Sequence, residues 1–143
     1  MKDETNIGPA GLSPADDARR QLGELRRHLL NLHKALIDSE RLAYESTFGV
    51  IESQNRFLQL LINDPWFAWL HPLSELVVLI DEALDSDEAP SPARAAALIR
   101  QTRALLVASE EGDGFPRSYF DALQREADVV LAHADVARCL KAR

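Results

Sequence analysis

Five leucines spaced three and four apart, Leu22, Leu25, Leu29, Leu32 and Leu36, set the strongest constraint on what this chain can fold into. That spacing places apolar side chains on one stripe of an α-helix and leaves no room for the alternation of a strand. Upstream, SPADD supplies a helix start. Ser13 can cap, Pro14 fits the first helical position, and Asp16 and Asp17 lie near the positive end of the helix dipole. No proline interrupts the pattern before Gly49, so the spacing predicts one helix over 14–48, about 50 Å long at ~1.5 Å per residue.

The same punctuation recurs along the chain. Ser53 precedes a short helix in SQNRFLQLLIN, and Asp64-Pro65 opens another turn at WFAWL. Pro72 lacks an amide proton and ends that turn, so a longer helix is expected from Pro72 to Leu84. Ser91-Pro92 opens a helix expected over about 92–109, closed by EEGDG, and a last helix is expected over about 116–141. No stretch alternates convincingly and no hairpin signal lies between alternating runs. The expectation is an all-α fold: a bundle of four principal helices, the first one long, with one or two short connecting helices. Residues 1–12 read as a flexible polar leader and 13–143 as a single domain.

Composition removes several functions. A formal charge of −7 opposes non-specific nucleic-acid binding and anionic membranes, because both run on Lys and Arg. The basic pairs Arg19-Arg20 and Arg26-Arg27 have Asp16, Asp17 and Glu24 among them, which reads as a mixed solvated face. The apolar run Trp66–Ile80 falls short of the ~20 residues a membrane helix needs, and it contains His71, Pro72 and Glu75. One cysteine, Cys139, rules out an intrachain disulfide, and the polar N-terminus is no secretory signal; a cytoplasmic setting is expected.

The first helix also carries polar residues on its apolar side. On a helical wheel His33, Glu40 and Tyr44 fall inside the leucine arc and Arg26 points the same way, whereas His28, Lys34, Asp38 and Arg41 lie outside. A carboxylate facing a core costs several kcal/mol unless it is paired or protonated, so Glu40 requires a partner. Three readings follow. Glu40 accepts from Tyr44 one turn on, or from groups on a facing helix, and the set fixes register. Alternatively the arc's edge is a helix–helix interface between copies or with a partner. In the third reading His33 and Glu40 hold a metal or small ligand. Asp81, beside the stripe of Leu73, Val77, Ile80 and Leu84, is placed to meet Arg26 or His33 across a helix pair.

Metal chemistry has little vocabulary here. A di-iron bundle needs Glu-x-x-His pairs, and none occurs; a mononuclear set would have to combine His33, Glu40 and His133. His133 lies at the edge of the stripe Tyr119, Leu123, Ala127, Val130, Ala134 and Ala137, where a hydrogen bond to one neighbour is the simpler role. Trp66, Trp69 and His71 form an aromatic loop with the residue types of a haem pocket, although the tryptophans also serve as core anchors. No nucleophile elbow, phosphate loop, dinucleotide turn or Cys-x-x-Cys is present, so no catalytic residue and no cofactor is predicted.

FAWLHPLSELVVLIDEAL and LQREADVVLAHADV, together under a quarter of the chain, resemble segments of small bacterial helical proteins without an established activity. That resemblance implies a bacterial cytoplasmic origin and adds no chemistry. The expected role is a helical interaction or regulatory module with a protein partner or capacity for self-association. The alternative is a small-ligand, haem or metal-binding bundle, with enzymatic capacity, built on His33, Glu40, Tyr44, Asp81 and Arg26.

Overall fold

The computed structural model describes residues 13–141, and the expected leader at 1–12 lies outside them. All regular structure among the described residues is helical: α1 Pro14–Phe48, α2 Gln54–Asn63, a 3₁₀ segment Pro65–Leu70, α3 His71–Asp85, α4 Pro92–Leu105, α5 Gly114–Arg125 and α6 Ala127–Lys141. None of these helices is long and apolar enough to cross a membrane.

Local chemistry sets the starts. Ser13, Ser53 and Ser91 each accept, through Oγ, a hydrogen bond from the amide three residues on, at 3.0–3.1 Å. Asp64 caps the 3₁₀ segment through a 2.8 Å bond from the Trp66 amide. Each bond satisfies a donor that the helix leaves without an internal partner. At the far end of α1, Gly49 takes φ 98°, a conformation open to glycine, and its N–H bonds the Glu45 carbonyl.

α1 is the spine. It packs against α6, α3 and α4, and its ends reach the 3₁₀ segment and α5. Leu22, Leu25, Leu29, Leu32 and Leu36 are all within 1% of full burial. They meet Leu73, Leu76 and Ile80 of α3, Leu98 of α4, and Val129 and Val136 of α6 in a single core.

The second half departs from expectation in two places. α4 stops at Leu105, four residues early, because Leu105 and Leu106 turn to pack against the core. The following loop is tied to α5 by bonds from Ser109 N to the Pro116 carbonyl and from Arg117 to the Glu110 carbonyl. The single helix expected over 116–141 is two helices, broken at Glu126, whose backbone is extended. This residue resets the helical phase. α6 buries Val129, Ala132 and Val136, and leaves Val130 and Leu131 exposed, instead of continuing the line through Val130, Ala134 and Ala137.

Candidate functional site

The break at Glu126 positions the partner of the buried carboxylate Glu40. Arg125, the last residue of α5, reaches back to α1 and donates from Nη2 to Glu40 Oε2 at 2.7 Å and from Nε to Ser39 Oγ at 3.0 Å. Glu40 is 6% exposed and Ser39 2% exposed, so the pair sits inside the fold while the Arg125 side chain keeps one edge in water. A guanidinium is suited to this, since its fork serves two acceptors in one plane. Tyr44 does not supply the bond to Glu40. Its ring enters an aromatic group instead, 4.8 Å from Phe48, 5.7 Å from Trp66 and 5.5 Å from Phe67.

α1 and α3 are joined by two polar contacts on the same seam. Arg26 pairs with Asp81 in a half-exposed salt bridge. His33 Nε2 lies 2.7 Å from Ser74 Oγ, one turn beyond the α3 N-terminus. These are the facing groups that helix periodicity brings to one side of each helix. His71 Nε2 lies 3.1 Å from the Leu61 carbonyl, and because a carbonyl only accepts, that nitrogen carries the proton. His71 therefore ties α3 to α2.

His133 has a different partner, 2.6 Å from Tyr119 Oη through Nδ1. Burial raises the Tyr119 pKa far above its ordinary value, so the phenol stays protonated and donates to a neutral imidazole. Trp69, Phe115 and Tyr119 continue this cluster ring against ring, whereas Trp66 belongs to the Tyr44 group on the other side. The two tryptophans thus anchor the Asn63–Leu70 crossing to two parts of the core. They do not enclose a common pocket with His71.

Residues expected to form one polar cluster are distributed along α1: Arg26 and His33 against α3, Glu40 against α5, and Tyr44 among aromatic rings. Each of His33, Glu40 and His133 is engaged by a different side chain. Among the described residues no three His, Cys, Asp or Glu side chains gather as a metal site. Ser39, Ser74, Tyr119 and Arg125 complete these pairs; Ser39 and Arg125 were not singled out by the sequence, and Ser74 and Tyr119 were placed on their helices without these partners. The requirement that Glu40 be satisfied pointed to Tyr44 or to a group on a facing helix, and nothing local singled out Arg125 as that group.

A groove opens where α1, α2 and α3 meet. It has a volume of about 430 Å³, with Ile37, Leu58, Ile62 and Leu70 on its walls and His33, Ser74 and Glu75 along one edge. Leu58 is 50% exposed and Ile62 66% exposed. α2 holds to the rest of the fold mainly through the 3₁₀ segment, with Phe57 and Leu60 buried and Arg41 of α1 stacked 4.5 Å over the Phe57 ring. A second cavity, about 360 Å³ between α1 and α6, is lined by Lys34, Asp38, Glu126, Asp128 and Asp135 together with Ala35, Leu42 and Ala132.

The two paired histidines make stability depend on pH. Burial lowers the pKa of both His33 and His133 below the ordinary 6.5. The unfolded chain therefore takes up protons at a pH where the folded chain still holds neutral imidazoles, so stability must fall as pH falls from about 6.5. The urea midpoint is expected to drop between about pH 7 and pH 5, above the range where carboxylates titrate, and His33→Gln or His133→Gln should flatten part of that drop. A midpoint that holds or rises as pH falls would contradict the burial of these rings.

No family model, curated protein or solved structure matches this chain at a significant level.

Proposed function

We propose that the chain is a helical interaction module, working through its surface and using its internal polar groups to fix packing. One observation carries this reading: the inward-facing Glu40, His33 and His133 are each committed to a side chain of another helix, while apolar side chains stand exposed around the α1–α2–α3 groove. Glu40 with Arg125, His33 with Ser74, and Tyr119 with His133 are cross-helix pairs of the kind that specify how helices register. The exposed Leu58 and Ile62, in turn, are large apolar groups in a concave setting, which marks a surface for a partner. In this reading the bundle has four principal members, α1, α3, α4 and the α5–α6 pair, with α2 and the 3₁₀ segment as an attachment that shapes the groove.

The acidic balance and the single cysteine support a cytoplasmic setting with a protein as partner. A ligand-holding bundle is the competing role, and the polar edge of the groove, His33 beside Ser74, is the feature that favours it.

Native mass spectrometry of the purified chain separates the two. The expected species has the bare chain mass, alone or in whole multiples. A small molecule or metal retained on the native species and absent from the denatured one would contradict the module reading.

A further inference from the structure

The groove between α1, α2 and α3 has one uncompensated charge. Glu75 stands exposed at its edge, with Glu82 two turns further along the same side of α3, and among the described residues neither makes an ion pair. Arg26 and Arg41, which flank His33 and Ile37 along α1, are already paired, with Asp81 and with Glu45 at 3.4 Å respectively. His33, at the same edge, has its pKa lowered by burial, which favours the neutral imidazole. An apolar trough bordered by a free carboxylate therefore remains.

Its walls match a helix. Leu58 and Ile62 are four apart on α2 and present neighbouring side chains, and Val78, 52% exposed, continues the α3 wall one turn beyond Ser74. Such a surface receives apolar residues repeating at three and four on a partner helix.

We infer that the groove docks an amphipathic α-helix of a different protein, one carrying a Lys or Arg beside its apolar stripe to meet Glu75. The inference rests on the module reading and adds the partner's chemistry. Charge disfavours the other occupants. Two copies of a chain with net charge −7 repel each other, and α2, the helix a second copy would offer, carries only neutral Asn55 and Gln59 next to Leu58 and Ile62, with Arg56 on its far side. An anionic lipid surface would face the same negative charge.

The test uses a synthetic amphipathic helix of about 18 residues, made of Leu and Lys, titrated calorimetrically into the whole protein. Binding is expected to weaken about tenfold or more in Ile62→Asp and in Glu75→Lys, and to change less than about twofold in Glu111→Lys, which alters net charge equally on an exposed loop. Ile62, Glu75 and Glu111 are exposed, so circular dichroism should show all three variants folded. Absence of binding overturns the inference, as does equal binding of a Leu–Glu helix. Binding that neither groove variant moves also overturns it, while leaving the module reading intact on another surface. Sedimentation velocity covers the remaining case: a dimer of the wild-type chain that dissociates in Ile62→Asp would assign the groove to a second copy.

Discussion

Replacing Arg125 by Met is expected to destabilise the fold by about 2–4 kcal/mol, measured as a fall in the urea midpoint. The substitution keeps most of the apolar stem and removes the guanidinium, leaving the Glu40 carboxylate buried with its cation gone. A fully enclosed pair broken in this way costs about 3–5 kcal/mol; here the Arg125 side chain is 37% exposed, so water reaches the edge of the site and tempers the loss. Glu40→Gln behaves differently. Its amide oxygen still accepts from Arg125, so the cost should stay near 1 kcal/mol. Removing both charges, as Glu40→Met with Arg125→Met, should recover most of the loss of the single Arg125 variant, because the penalty belongs to the unpaired ion and not to the missing contact. If Arg125→Met proves as mild as Glu40→Gln, the bridge between α5 and α1 is not what compensates Glu40.

Phe67→Ala is expected to cost about 3–5 kcal/mol, the largest effect of any single truncation considered. Phe67 is fully buried in the 3₁₀ segment and stands between two rings, 5.5 Å from Tyr44 and 5.8 Å from Phe57, so it joins α1 to α2. Truncation removes burial and leaves a void between three elements that are short or terminal. Set against a total of about 5–15 kcal/mol for an ordinary domain, such a loss brings the fold near its limit at 37 °C. Phe48→Ala provides the contrast: that ring touches Tyr44 and Trp66 but is 64% exposed, and its removal should cost less than about 1 kcal/mol. Equal losses at the two positions would mean that the α2 attachment does not depend on Phe67.

Local chemistry is the part of this fold most easily read from the chain. Ser13, Ser53, Asp64 and Ser91 act at their own helix starts, and Gly49 ends α1 with a backbone angle open to glycine. The Arg26–Asp81 pair was legible too, since two helical periodicities each turn one charge toward the other helix. What escaped depends on how helices meet. Nothing in LQREADVV breaks a helix, as the stretch lacks glycine and proline, yet the chain extends at Glu126 while Arg125 is anchored to Ser39 and Glu40. Tyr44 reads as a donor beside Glu40 until the crossing segment brings Trp66 and Phe67 to its ring. The groove was equally hidden: SQNRFLQLLIN reads only as a short apolar helix, and the placement of α2 is what leaves Leu58 and Ile62 facing outward.

Amide hydrogen exchange with and without the Leu–Lys helix tests the central claim most directly, because it reports where a partner sits. The account predicts slowed exchange in α2, Gln54–Asn63, and in the first two turns of α3, with little change in α4 and α6. Protection centred instead on the α1–α6 cavity around Asp38 and Asp135, or spread evenly over the chain, would contradict the assignment of the α1–α2–α3 face as the working surface.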